Sequence, residues 1–75
     1  MNDVEDFVVL LREEVGLPIE RSQLTTDLDN VPAWDSLLLL KLVVALERET
    51  GRRMPVGRLM AMRSLQDMYE LVAAA

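Results

Sequence analysis

Apolar residues recur at helical spacing near the start of the chain and predict a first helix over residues 3–15. They stand at positions i, i+3, i+4, i+7 and i+11, and they are Val4, Phe7, Val8, Leu11 and Val15. Asn2 with Glu5 predicts a capping box at the helix start, and the acidic residues that follow suit a helix N-terminus. Gly16 and Pro18 then give the stop signal.

A second helix is predicted over Ser36–Thr50, with Asp35 as its N-cap and Gly51 just past its end. It has two apolar faces rather than one. The first face holds Leu39, Leu42, Val43, Leu46 and Thr50. The second holds Leu37, Leu40 and Val44, beside Lys41 and Arg48. Two apolar faces predict burial on both sides, or burial on one side and docking of a partner on the other.

The last part of the chain predicts two further helices. Pro55 can open a short helix of one or two turns within residues 56–62, with Leu59 and Met60 directed inward. Ser64 with Asp67 predicts a capping box before a last helix over residues 65–73. The inner face of this last helix consists of Leu65, Met68, Tyr69 and Val72. Three methionines at these spacings are predicted to fill the core: Met54, Met60 and Met68.

Residues 17–34 lack a regular period and predict a long loop between the first two helices. Its apolar residues Leu17, Ile19, Leu24 and Leu28 would anchor it to the helices, and Trp34 would pin its end. The fold class is therefore all-α: a small four-helix bundle with three main helices and one short helix, in one domain over residues 1–75.

Composition narrows the possible functions. The chain has no Cys and no His, which removes disulfides, the usual zinc ligands and the usual nucleophile–base pairs. We therefore expect no enzyme activity and no metal site; the spacing of Asp27, Asp29 and Asp35 does not match a calcium loop. The net charge of −5 argues against nucleic acid as a partner and favours partners with basic docking surfaces.

Location and surface charge give further expectations. No apolar run reaches the ~20 residues that span a bilayer, and the first residues are acidic where a signal peptide would be basic. These features predict a cytoplasmic location and no membrane partner, and we also expect a monomer. Arginines cluster in the second half, where they form either a solvated surface, which we favour, or a docking patch for an acidic partner or a phosphate. They are Arg48, Arg52, Arg53, Arg58 and Arg63.

Ser36 is the candidate reactive group. A D-S pair before an apolar run is most often only a helix cap. Here Asp35 can provide the cap, which leaves the Ser36 hydroxyl free at the first helical position. A phosphodiester on that hydroxyl would lie against the positive end of the helix dipole and near free N–H groups.

The whole pattern resembles the acyl carrier proteins and, more broadly, the phosphopantetheine-binding carrier domains, both acyl and peptidyl. The similarity covers nearly the whole chain: an acidic first helix, a long loop that ends in Trp34-Asp35-Ser36-Leu37, the run from Leu38 to Glu47, and Met54-Pro55 before a last short helix. It implies that Ser36 is esterified with 4'-phosphopantetheine by a phosphopantetheinyl transferase, with coenzyme A and magnesium. It also implies that the second helix docks partners, while Asp35 takes part in recognition by the transferase.

Departures from the family pattern bear on the pathway. The exposed side of the second helix has Leu38, Lys41 and Arg48 where carriers of bacterial fatty-acid synthesis have acidic residues, although Glu47 is kept. Ala33-Trp34 replaces a Gly that commonly precedes Asp-Ser-Leu. The Leu-rich, partly basic second helix resembles that of carriers of polyketide or nonribosomal peptide pathways, whose partners would bind more through apolar than through ionic contacts.

Two functions from different classes fit the sequence. The first is a stand-alone carrier that shuttles thioester-bound acyl or aminoacyl groups among loading enzymes, ketosynthases, condensation enzymes or tailoring enzymes. Its docking residues would be Asp35, Leu37, Leu38, Leu40, Lys41, Val44, Glu47 and Arg48. The second is a helical interaction module in which Ser36 is only a cap, so that Ser36→Ala would cost about 1 kcal/mol and change no chemistry.

Overall fold

The computed structural model describes residues 2–74, and every regular element among them is helical. The predicted domain also includes Met1 and Ala75, which lie outside the described residues. Four α-helices follow one another: α1 (Val4–Leu10), α2 (Ser36–Thr50), α3 (Val56–Met60) and α4 (Leu65–Ala74). The predicted all-α bundle with one short helix is confirmed.

The first helix begins and ends differently from the prediction. Asp3, not Asn2, is the N-cap, and its carboxylate accepts the backbone N–H of Asp6 at 3.0 Å, so the predicted capping box is wrong. After Leu10 the helix widens into a π-helical segment, Leu11–Val15, which packs against α2. Its last turn closes when the N–H of Gly16 donates to the carbonyl of Leu11. Gly16 has φ 84°, a left-handed conformation that glycine adopts without strain.

The long loop contains two short 3₁₀ turns, Arg21–Gln23 and Leu28–Asn30. It is tied to the region around the start of α4 by two backbone hydrogen bonds. Leu28 N–H donates to the carbonyl of Arg63, and Gln66 N–H donates to the carbonyl of Leu24, both at 2.9 Å. The predicted apolar anchors pack as expected: Leu17, Ile19 and Leu24 are buried, and Leu28 is partly buried against the core.

The remaining helices have identifiable ends. Gly51 (φ 68°) ends α2, and its N–H donates to the carbonyl of Glu47. The Ser64 hydroxyl accepts the N–H of Asp67 at 3.1 Å, which confirms Ser64 as the residue that caps α4. The short helix α3 ends at Met60, within the predicted segment.

One core contains side chains from all four helices and from the loop. Phe7 and Tyr69 meet within it, with ring centroids 5.4 Å apart. Met54 and Met68 are buried as predicted, but Met60 is 66% exposed, so its predicted inward position is wrong. Because α3 is only five residues long, it buries one residue in the core, and that residue is Leu59. Within residues 2–74, no helix is both long enough and apolar enough to cross a membrane.

Candidate functional site

Asp35 caps the N-terminus of α2, as the sequence predicts. Its backbone is extended (φ −153°, ψ −177°), and its side chain accepts the N–H of Leu38 at 2.9 Å. Its carbonyl oxygen accepts the N–H of Leu39 at 3.1 Å. Asp35 therefore performs the capping role, and the residue after it has no need to do so.

Ser36 follows as the first helical residue and is exposed. Within residues 2–74 its hydroxyl has no hydrogen-bond partner, and the backbone N–H groups of Ser36 and Leu37 have no acceptor. Such N–H groups at a helix N-terminus, together with the helix dipole, favour an anionic group. The local structure therefore fits a phosphate ester on the Ser36 oxygen.

The other two serines are poorer candidates. Ser64 is only 8% exposed, and its hydroxyl already accepts a hydrogen bond from the backbone at the start of α4. Ser22 is exposed, but it lies in the three-residue 3₁₀ turn Arg21–Gln23, with no long helix behind it. Ser36 alone combines an exposed hydroxyl with the N-terminus of a 15-residue helix.

The segment before Asp35 is held in an unusual conformation. Ala33 has φ 68°, and it is the one residue other than glycine with a positive φ among residues 2–74. A side chain in this left-handed region costs about 1–2 kcal/mol, so glycine would fit here with less strain. Next to it, the Trp34 side chain packs partly buried against the core, and its backbone N–H donates to the carbonyl of Val31 at 3.2 Å. The predicted role of Trp34 as the anchor of the loop end is confirmed.

The second apolar face of α2 is uncovered. Leu37, Leu40 and Val44 are 58%, 56% and 54% exposed, whereas the first face, apart from the half-buried Thr50, is buried in the core. The cations Lys41 and Arg48 are exposed on the same side of the helix. We call these five residues the α2 stripe. They follow Ser36 along the helix at positions i, i+3, i+4, i+7 and i+11, which places them on one face.

A shallow groove of about 360 Å³ runs along one edge of the α2 stripe. Its walls are Leu40, Lys41, Val44, Ala45 and Arg48 on α2, with Glu14 of the π-helical segment opposite. Sequence reasoning missed Glu14 and Ala45. Glu14 stands next to the buried Val15, and nothing in the apolar period of the first helix indicated that it would border α2.

Two predicted docking residues have other roles within the chain. Leu38 is half-buried and packs against the core. Glu47 is also half-buried, and its carboxylate accepts the N–H of Met54 at 3.0 Å, which ties α2 to the segment before α3. Their contribution to docking stays a prediction, and the exposed candidates are Asp35 and the α2 stripe.

Two of the clustered arginines have partners within the chain. Arg63 pairs with Asp27 across the loop at 3.1 Å, and Arg52 donates to the carbonyl of Val72 at 3.4 Å. The carboxylate of Asp27 also accepts the N–H of Asp29 at 2.9 Å. That backbone hydrogen bond is the main reason why the pKa of Asp27 lies below its ordinary value; the Arg63 guanidinium acts in the same direction, and partial desolvation opposes both.

These features define a class of protein: a small helical domain that presents one free hydroxyl at the start of a partly uncovered helix. The family model for the phosphopantetheine attachment site matches residues 5–72, and the chain belongs to this family. The family carries 4'-phosphopantetheine covalently on a serine, which confirms the predicted cofactor. No curated protein and no solved structure shows a significant match to the chain.

Proposed function

We propose that this protein is an acyl or peptidyl carrier in which Ser36 bears the 4'-phosphopantetheine arm. The observation that carries the proposal is the free, exposed Ser36 hydroxyl at the N-terminus of α2, next to a cap provided by Asp35. The family match over residues 5–72 supports the carrier role. Because the chain has no Cys, the thiol that forms a thioester with the cargo must come from the cofactor.

Attachment makes one bond and breaks one. The Ser36 oxygen would form a new ester bond to the phosphorus that bears the pantetheine, the phosphoanhydride P–O bond of coenzyme A would break and release adenosine 3',5'-bisphosphate, and the hydroxyl proton would pass to a base of the transferase. The chain contributes position and charge to this step. Asp35 holds the helix start so that the oxygen faces solvent, and the N–H groups of Ser36 and Leu37 can donate to the phosphate.

The proposal extends to partners and pathway. Such carriers present an intermediate rather than transform it, so we expect no catalysis by the chain alone. The partners would be a phosphopantetheinyl transferase, a loading enzyme and enzymes that elongate or tailor the cargo. They would dock through Asp35 and the α2 stripe, in polyketide, nonribosomal peptide or related metabolism. A cytoplasmic location stays a prediction.

Intact-mass measurement tests the central part of this proposal. The purified chain is incubated with coenzyme A, magnesium and a broad-specificity phosphopantetheinyl transferase. We expect a gain of one phosphopantetheine in the wild type and in Ser22→Ala, and none in Ser36→Ala. Retained loading in a folded Ser36→Ala variant would contradict the assignment of Ser36.

The exposed α2 stripe also supports a second candidate function, that of a non-enzymatic interaction module. In that case α2 would bind a partner helix, and the transferase would leave the chain unmodified. A chain that starts without the arm and gains none under these conditions would favour the interaction module over the carrier.

A further inference from the structure

Charge is unevenly distributed along this chain. Residues 36–63 contain six of its eight Lys and Arg but only two of its thirteen Asp and Glu. One of these two acids, Glu47, is half-buried and holds the N–H of Met54. A protein with a net charge of −5 therefore has a cationic segment, and that segment begins at Ser36.

Two of the six cations belong to the α2 stripe. Within residues 2–74, Lys41 and Arg48 form no ion pair and no side-chain hydrogen bond. By contrast, Arg21 is paired with Glu5 at 2.7 Å and Arg63 with Asp27 at 3.1 Å. These two cations stand beside the most exposed apolar side chains of α2, Leu37, Leu40 and Val44.

We propose that the α2 stripe binds a protein surface of complementary design, an apolar depression bordered by Asp and Glu side chains. The proposal rests on the carrier function and names the chemistry of the partners that dock on it. Burying the three apolar side chains against a partner also removes water from Lys41 and Arg48. That desolvation is unfavourable unless the partner supplies carboxylates to pair with them.

This inference differs from the one that the net charge suggests. An overall charge of −5 favours basic partners, but a docking partner meets one face at close range. The described chain measures 29 × 24 × 20 Å, whereas the Debye length at physiological salt is about 8 Å. Acidic residues on the far side are therefore largely screened. Among residues 2–74, Glu14 is the one residue with a carboxylate that lines the groove beside the stripe.

Other occupants fit the stripe less well. A second copy of the chain would place Lys41 and Arg48 against the same two cations, which is repulsive. A lipid bilayer or a nucleic acid is large enough to meet the whole molecule, whose net charge of −5 opposes anionic surfaces. A compact acidic site on a protein can contact the stripe alone, and we therefore favour it.

A pair of synthetic helical peptides provides the probe. Both have the same Leu face, flanked by Glu in one peptide and by Lys in the other. Each is titrated into the ¹⁵N-labelled chain without its arm, and amide shifts report both the site and Kd. Lys41 and Arg48 would attract the Glu peptide and repel the Lys peptide, although each exposed ion pair is weak. We therefore expect the Glu peptide to bind about tenfold more tightly than the Lys peptide, which is equivalent to about 1.4 kcal/mol. The shifts should centre on residues 37–48.

Charge reversal supplies the matched variants. Lys41→Glu combined with Arg48→Glu should reverse the preference, so that the Lys peptide binds more tightly. Arg12→Glu combined with Arg53→Glu changes the net charge equally at exposed positions outside the stripe, and it should keep the preference for the Glu peptide. Raising the salt concentration should weaken the preference in both the wild type and the control variant.

Four results would overturn the proposal: equal binding of the two peptides, preference for the Lys peptide, shifts that centre elsewhere, or equal loss of preference in the control variant. Self-association through α2, seen by sedimentation, or binding to vesicles of anionic lipid through the same residues, would assign the stripe to a different occupant. Because the chain has no arm in this experiment, its outcome is independent of loading at Ser36. Failure here leaves the mass test of the carrier function intact.

Discussion

Ser36→Ala should remove the attachment site without destabilising the fold. Ser36 is exposed and its hydroxyl has no hydrogen-bond partner within residues 2–74, so the substitution breaks no hydrogen bond. Alanine is also the better helix former, by a few tenths of a kcal/mol. We therefore expect the free energy of unfolding to stay within about 0.5 kcal/mol of the wild type.

Asp35→Ala is the matched comparison one residue earlier. It removes the carboxylate that accepts the N–H of Leu38 at 2.9 Å, so it should cost about 1 kcal/mol, within the range known for lost N-caps. Urea denaturation, monitored by circular dichroism, gives the free energy of unfolding of both variants, with one common slope for its dependence on urea concentration. A loss of 1 kcal/mol or more in Ser36→Ala, with little change in Asp35→Ala, would show that Ser36 is the cap and would refute the reasoning behind the site.

Three further predictions concern the rest of the fold. Ala33→Gly should stabilise the chain by up to about 1 kcal/mol in urea denaturation, because relief of the left-handed strain exceeds the entropic cost of glycine; a loss of stability would contradict the φ of 68°. Gly51→Ala should lower the free energy of unfolding by about 1 kcal/mol, whereas Gly57→Ala should raise it by up to about 1 kcal/mol. Neither new Cβ meets an atom within 4 Å, and of the two residues only Gly51 has a positive φ. Equal effects in urea denaturation would show that φ does not decide the outcome. Because the folded-state pKa of Asp27 is lowered, its contribution to stability is complete above the unfolded-state pKa of about 4 and is lost as the pH falls through the folded-state pKa. Asp27→Asn should therefore lose less stability than the wild type between pH 5 and pH 2, and parallel acid curves would count against the shift.

Sequence periodicity predicted most of the helical framework, because each helix buries one face against a single core. The four helices occupy the predicted stretches, and Asp35, Gly16 and Gly51 act as the predicted caps and stops. The apolar spacing of α2 separated its buried face from its exposed one. Local patterns of this kind need no knowledge of tertiary contacts.

Features that depend on contacts between elements were not predictable in the same way. The π-helical segment Leu11–Val15 changes hydrogen bonding without changing which residues are apolar, so no period reveals it. The family pattern places Glu47 among the docking residues, and its docking role stays a prediction; its hydrogen bond to Met54 depends on how the chain turns after α2, which no local pattern reveals. The spacing of Met60 predicts a place in the core, but the helix α3 is only five residues long and buries Leu59 alone, which leaves Met60 exposed.

The location of the arm tests the central claim most directly. After loading by the transferase, the chain is digested and the modified peptide is sequenced by mass spectrometry. The account predicts one phosphopantetheine, on Ser36, in the wild type and in Ser22→Ala, and an unmodified Ser36→Ala chain that unfolds at the same urea concentration. An arm on Ser22 or Ser64, or a folded and initially unmodified wild type that accepts none, would contradict it.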